Sequence, residues 1–184
     1  MRLLLALLLL MEPSATALRR VLVTGGNKGI GQAICKRILC DHPDTHVLLG
    51  SRNQARGETA VQQIIDAVPG AAGRIEALAL EVTDDASVAA AAAAVSEKYS
   101  AEEAPLHGLV CNAGVGFGRS IPETLAVNLY GAKRCCEAFV PLLTPEVRVR
   151  VRVRVRVWLR VRVRVRVWMR VRVRVRVVRV RVRS

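Results

Sequence analysis

The sequence predicts an α/β fold in which a parallel sheet is covered on both faces by helices. Short apolar runs typical of buried strands alternate four times with segments typical of helices. A glycine-rich turn separates the first strand from the first helix. Parallel strands joined by crossover helices account for this alternation. A chain of 184 residues is long enough for one such domain and too short for two.

The first two strand–helix units are predicted before residue 70. Arg20–Thr24 is an apolar run that ends in glycine, which indicates a buried strand. Isoleucines at every fourth position then predict one face of a helix: Ile30, Ile34 and Ile38. A second strand is predicted at His46–Gly50, and a second helix at Gln54–Ala67 is ended by Pro69 and Gly70.

The next two units follow the same order. Asp84 or Asp85 is expected to cap an alanine-rich helix, and Pro122 to lie in the first turn of the last helix. The predicted elements, in order, are a strand at Ile75–Val82, a helix ending at Lys98, a strand at Leu106–Cys111 and a helix from Glu123 to about Leu143.

The net charge of +14 is concentrated at one end of the chain. Residues 147–184 contain sixteen arginines and no acidic residue, so residues 1–146 carry a net charge of −2. This distribution excludes a uniformly basic binding domain, and the composition excludes a collagen-like or wholly disordered chain. We therefore divide the chain into an N-terminal segment (1–18), an α/β domain (19–146) and a valine–arginine tail (147–184).

The N-terminal segment has two interpretations. Arg2, the apolar run Leu3–Met11 and the small-x-small sequence Ala15–Ala17 have the three parts of a secretory signal peptide. Alternatively, translation begins at Met11 and the apolar run is not made. The first interpretation predicts the secretory pathway, and the second predicts a cytoplasmic protein.

The turn after the first strand has the chemistry of a dinucleotide site. Its sequence, Thr24–Gly31, places glycines at 25, 29 and 31 between a strand and a helix. Such glycines permit a tight turn and a close approach to phosphate, while the helix N-terminus offers N–H groups to a pyrophosphate. This context predicts a Rossmann-type sheet.

The end of the second strand indicates the choice of cofactor. Sites that prefer NAD usually carry Asp or Glu there to bind the ribose diol. This chain has Gly50, Ser51 and Arg52 instead. Arg52 and Lys28 are suited to a 2′-phosphate, so we expect NADP rather than NAD.

These motifs resemble those of the short-chain dehydrogenase/reductase family, and the glycine loop is most similar to its carbonyl reductase branch. Glu81–Asp84 resembles the family's Asp-Val-Thr-Asp, and Cys111–Gly114 resembles its Asn-Asn-Ala-Gly. Asn128 matches the residue that holds a water of the proton relay in the family. The resemblance covers Arg19–Pro145, a little over half of a family domain, so we expect the sheet to be incomplete.

The resemblance implies hydride transfer between NADPH and a small-molecule carbonyl substrate. It implies a cofactor site whose phosphate side is held by Gly25, Asn27, Lys28, Gly29, Ile30, Gly31 and Arg52, and whose adenosine side is held by Glu81, Val82, Asn112, Ala113 and Gly114. Asn128 is the one catalytic residue expected, and no metal site is expected.

The family's catalytic Ser and Tyr-x-x-x-Lys pair have no counterpart in the sequence. Tyr99 is not followed by lysine at the required spacing, and Tyr130 has Lys133 at a spacing of three and Arg134 at four. Arginine does not replace that lysine, because it does not readily lose a proton. The resemblance leaves open whether the chain is an enzyme, and we expect it to be inactive as written.

The tail alternates valine and arginine, which is a strand pattern with a period of two. Val151–Arg160 and Val161–Arg170 differ only at Leu159 and Met169, and this regularity also resembles translated simple-sequence DNA. Repelling cations and an unspecified register argue against a defined hairpin. A non-catalytic protein that binds polyanions through the tail is the alternative function. The oligomeric state and the substrate are left open.

Overall fold

A computed structural model describes residues 18–116 and 118–144, together with the backbone of residues 155–158 and 164–167. Four parallel strands form one sheet in the order β3-β2-β1-β4. The strands are β1 (Arg19–Thr24), β2 (Thr45–Ser51), β3 (Ile75–Ala79) and β4 (Gly108–Val110). The predicted α/β fold with an incomplete Rossmann-type sheet is therefore confirmed.

Helices connect the strands and continue after β4. They are α1 (Gly29–Asp41), α2 (Gln54–Ala67), α3 (Asp85–Lys98), α4 (Ile121–Leu125) and α5 (Ala132–Phe139), with a π-helical segment (Ala126–Gly131) between α4 and α5 and a 3₁₀ turn (Val140–Leu142) after α5. The cap of α3 is Asp84, whose Oδ1 accepts a hydrogen bond from Ala86 N at 3.0 Å.

Two hydrophobic cores lie on opposite faces of the sheet. Along β1, Leu22 contributes to one core and Val23 to the other, because successive strand residues point to opposite faces. Buried residues of α1 and α2 pack on one face, and those of α3 and α5 pack on the other. The sheet is therefore wound on both sides, which is the arrangement that the alternating pattern predicts.

Two predicted strands are longer than the observed ones. β3 ends at Ala79 because the chain leaves the ladder when Glu81 N donates to Ser87 Oγ (2.9 Å). Leu80 and Val82 resemble strand residues because both are buried, although they lie in the loop after β3. β4 begins only at Gly108, because Leu106 pairs with Leu143 instead.

The residues of α1 that face the core each lie one position after the predicted isoleucines. The buried residues of this helix are Gly31, Cys35 and Leu39, whereas Ile30 is 76% exposed. The last helical stretch begins at Ile121, two residues earlier than predicted, because Ser120 and Glu123 form a reciprocal capping box.

Part of the tail forms a strand pair. β5 (Val155–Trp158) runs antiparallel to β6 (Arg164–Val167). The prediction against a defined hairpin is therefore wrong for these eight residues. The signal-like segment 1–17 and the other tail residues lie outside the described residues. No helix in the described part has the length and apolar character needed to cross a bilayer.

Candidate functional site

The turn between β1 and α1 is built from glycines for steric reasons. Gly25 and Gly29 have φ angles of +64° and +55°, a region that side chains rarely adopt. A Cβ on Gly31 would overlap the carbonyl oxygen of Gly25 and would lie 2.5 Å from Asn112 Nδ2. The turn therefore packs backbone against backbone and brings the start of α1 to the end of the sheet.

The N-terminus of α1 differs from the other helix starts that follow a loop in the described residues. Asn53, Asp84 and Ser120 each cap their helix with a side-chain hydrogen bond. Lys28 occupies the corresponding position of α1 and makes none. The first N–H groups of α1 are therefore available to an anion, and the helix dipole favours negative charge there.

A set of hydrogen bonds joins the ends of β1 and β4. Thr24 Oγ1 accepts from Asn112 N at 3.0 Å and from Ala113 N at 2.9 Å. The Asn112 side chain donates to Thr24 O at 3.1 Å and to Gly25 O at 3.2 Å. Asn112 thus holds the loop after β4 against the glycine turn, which explains why an amide is needed there.

Asn128 fixes the far side of the same loop. Its Oδ1 accepts from Val115 N and its Nδ2 donates to Val115 O, both at 2.8 Å. Asn128 lies within the π-helical segment, a distortion that often marks functional sites. Both ends of its amide hold the loop. Its predicted role in a proton relay stays a prediction.

The loop after β3 supplies another wall. The carboxylate of Glu81 accepts from Thr83 N at 3.1 Å and from Thr83 Oγ1 at 2.8 Å, which shapes the turn into α3. Val82 is buried beneath the π-helical segment, where a Cβ on Gly131 would lie 2.8 Å from Val82 Cγ2. The glycine lets the two elements approach.

These loops enclose a cavity of about 740 Å³ at the carboxyl ends of the strands. The place is the one where open α/β sheets bind ligands, and the volume is in the usual range for small-molecule sites. All twelve residues predicted to bind a cofactor line it: Gly25, Asn27, Lys28, Gly29, Ile30, Gly31, Arg52, Glu81, Val82, Asn112, Ala113 and Gly114. Asn128 is behind the wall and acts on it through Val115.

Eight further residues, which the sequence did not predict, line the cavity. These residues are Asn53, Arg56, Thr83, Val115, Arg119, Glu123, Ala126 and Val127. Arg56 could have been found, because it follows Arg52 by four residues in the first turn of the predicted second helix. Arg119 could not, because no motif marks it, and the Ser120–Glu123 capping-box pattern predicts where α4 begins but not that Glu123 faces the cavity.

Cations dominate one side of the cavity. Lys28, Arg52 and Arg56 are exposed and line it, and among the described residues none of them pairs with a carboxylate. On another side, hydrogen bonds from the backbone and hydroxyl of Ser120 lower the pKa of the Glu123 carboxyl. Glu123 also lies 3.4 Å from Arg119, which balances its charge.

Neither tyrosine lines the cavity. Tyr99 donates to Glu76 Oε1 at 2.7 Å, and burial together with that carboxylate raises its pKa. Tyr130 is 51% exposed on the π-helical segment. Among the described residues, no group of three His, Cys, Asp or Glu side chains could hold a metal ion.

Comparison with known proteins establishes the family. The family model for short chain dehydrogenases matches residues 19–151. The chain belongs to the short-chain dehydrogenase family. Its members include a short-chain dehydrogenase/reductase of Stachybotrys chlorohalonatus, 36% identical over an alignment of 141 residues that covers 67% of this chain and 47% of the relative. Carbonyl reductase (NADPH) 1 of Homo sapiens is 35% identical over an alignment of 136 residues that covers 70% of this chain and 46% of the relative.

Solved short-chain dehydrogenase structures agree with this assignment. An NADPH-bound carbonyl reductase from chicken fatty liver has a TM-score of 0.56 and 28% identity, over 68% of this chain and 51% of that one. A metagenomic short-chain oxidoreductase in complex with NADP has a TM-score of 0.56 and 28% identity, over 70% and 58% of the two chains. The chain spans about half the length of the curated relatives it matches.

Proposed function

We propose that the cavity binds NADPH and NADP, as expected of an oxidoreductase of the carbonyl reductase type. The observation that carries the proposal is that a helix N-terminus without a side-chain cap and three cations with no carboxylate partner among the described residues meet at one cavity. The N–H groups of α1 suit a pyrophosphate, and Lys28, Arg52 and Arg56 suit a 2′-phosphate. The names of the NADPH-dependent relatives support the same cofactor.

The residues fit this group in shape as well as in charge. Gly31 leaves no room for a side chain between the glycine turn and Asn112, so the backbone itself forms the phosphate cradle. Asn112 and Asn128 hold the loop Ala113–Val115 against the cavity. The cofactor would supply a hydride for a carbonyl substrate; the chain's own residues bind it and orient it.

A fluorescence titration with NADPH and NADH tests this assignment. Arg52→Ala removes a charge-assisted contact to the 2′-phosphate, so we expect NADPH affinity to fall about tenfold, since Arg52 is exposed and such bonds contribute about 1.5–3 kcal/mol at most. NADH affinity should change less than twofold.

A second arginine provides the matched control. Arg37 is exposed on α1 and pairs with Asp41 at 2.5 Å, away from the cavity lining. Arg37→Ala should leave both affinities unchanged. An equal loss of NADPH and NADH binding in Arg52→Ala would contradict the role of Arg52 in recognising the 2′-phosphate.

We infer that the chain does not catalyse turnover of the cofactor it binds. The family's Ser and Tyr-x-x-x-Lys pair are absent from the sequence, and the two tyrosines lie outside the cavity lining. General acid–base groups contribute about 10²–10⁴-fold to such reactions. NADPH oxidation with aldehydes, ketones and quinones should stay at the background rate. Carbonyl-dependent oxidation that Tyr130→Phe abolishes would show that Tyr130 is the acid.

A further inference from the structure

Two cysteines from different elements meet beside the cavity wall. Cys111 follows β4 and Cys136 lies in α5, and their sulfurs are 4.0 Å apart. Cys111 is exposed and Cys136 is half-buried, so a small solute can reach the pair. The neighbouring Cys135 is buried in the core, and Cys40 is exposed on α1, where it has no such partner among the described residues.

The contact between the two thiols shifts their pKa values in opposite directions. Either thiol can donate to the other at this distance, and a hydrogen bond from Cys111 lowers the pKa of the Cys136 thiol to about 7, against the opposing effects of burial and of the Glu137 carboxylate. The same contact raises the Cys111 pKa. Cys136 is therefore the nucleophilic thiolate near neutral pH, and Cys111 is the thiol that stands next to it.

We propose that Cys111 and Cys136 form a redox-modification site that a peroxide converts to a disulfide, and that this disulfide weakens cofactor binding. The second half of the proposal rests on the proposed function, whereas the first half does not.

The chemistry balances with one peroxide per pair. The Cys136 thiolate attacks one oxygen of hydrogen peroxide, the O–O bond breaks, and the departing hydroxide takes a proton to become water. Cys136 is now a sulfenic acid. The Cys111 sulfur attacks the Cys136 sulfur, the S–O bond breaks, the Cys111 proton leaves with the hydroxyl group as a second water, and an S–S bond forms. The thiols lose two electrons, and the peroxide gains them.

The backbone links the pair to the cavity. Cys111 directly precedes Asn112, whose side chain and N–H hold the glycine turn through Thr24 and Gly25. Sulfurs 4.0 Å apart must approach to about 2 Å to bond. Rotation of the two side chains can close part of this gap, and any remaining approach made by the end of β4 displaces the loop that lines the cavity.

Peptide mapping of the full chain tests the first half. The protein is treated with hydrogen peroxide, blocked with iodoacetamide and digested without reductant. We expect a peptide pair linked through Cys111 and Cys136 and lighter by about 2 Da, with fragment ions that separate Cys136 from Cys135. Cys40→Ser should keep this link, and Cys111→Ser and Cys136→Ser should lose it. Oxidation found only as Cys136 sulfinate, or only as Cys40-linked dimers, would overturn the proposal.

NADPH titration of the oxidised and reduced wild-type protein tests the second half. We expect oxidation to weaken NADPH binding about fivefold or more, reversed by dithiothreitol, and to leave Cys136→Ser unaffected. A linked peptide with unchanged NADPH affinity would overturn the coupling alone. Failure of the reduced protein to bind NADPH would overturn the proposed function and leave the disulfide result standing.

Discussion

We expect the free energy of unfolding of the domain to fall at low pH because of Glu76. This residue of β3 faces His46 Nε2 at 3.4 Å, accepts from Tyr99 at 2.7 Å and pairs with Lys98. These contacts lower the Glu76 pKa to about 2 despite partial burial. The contact with His46 has the largest effect, and those with Lys98 and Tyr99 add to it. A carboxylate in an unfolded chain has a pKa of about 4.3.

The size of the effect follows from that difference. A pKa of about 2 in the folded chain against about 4.3 in the unfolded chain corresponds to about 3 kcal/mol of stabilisation at pH 7. The Glu76 side chain is 28% exposed and the Lys98 side chain 55%, so solvent screening reduces the expected contribution to about 1–2 kcal/mol. Because the pKa is lower in the folded state, this stabilisation is complete above about pH 5 and is lost as the pH falls toward 2.

Urea unfolding of wild type and Glu76→Gln at pH 7, 4 and 2.5 provides the assay. The free energy of unfolding of the variant should be about 1–2 kcal/mol lower than that of wild type at pH 7. This difference should shrink to a few tenths of a kcal/mol at pH 2.5. Glu58→Gln is the control, because Glu58 is exposed on α2 and, among the described residues, its carboxylate accepts a hydrogen bond only from the Gln54 amide. A difference between wild type and Glu76→Gln that is equal at all three pH values would refute the reasoning.

Three further outcomes are expected. Gly31→Ala should abolish NADPH binding and cost about 1–3 kcal/mol of stability, because the new methyl group overlaps backbone; calorimetric titration and thermal unfolding measure the two effects. Alkylation of Cys136 should be half-maximal near pH 7, and in Cys111→Ser the midpoint should rise, as followed by mass spectrometry. A peptide of residues 147–184 should bind DNA with an affinity that falls steeply with salt, and binding that is insensitive to salt would contradict a polyanion mode.

The sequence allowed a reliable prediction of the sheet and of one half of the cavity. Apolar runs and helix caps are local signals, and the glycine turn requires its residues for steric reasons that hold in any context. Because these signals do not depend on distant contacts, all twelve predicted cofactor residues line the cavity. The limits of β3 could not be predicted, because Val82 is as apolar as a strand residue and yet is buried in a loop.

Features that depend on contacts across the chain were missed. The Cys111–Cys136 pair joins residues that lie 25 positions apart on two elements, and no spacing rule connects them. The π-helical segment around Asn128 depends on how the loop after β4 packs, so the sequence pattern indicated only an ordinary helix. Arg119 and Glu123 reach the cavity because the capping box at Ser120 fixes where α4 begins.

The strand order has a consequence for how the domain resists unfolding. The chain builds β1, β2 and β3 outward in one direction and then crosses back to place β4 on the opposite side of β1. Thr24 lies at the end of β1, and Asn112 follows β4. The cavity between them therefore forms only after β4 has paired with β1. A nucleotide bound there would hold together the ends of β1 and β4, which lie far apart in the sequence. At one hundred times its Kd it would add about 2.7 kcal/mol to the free energy of unfolding, and it would protect the β4 edge most strongly from hydrogen exchange.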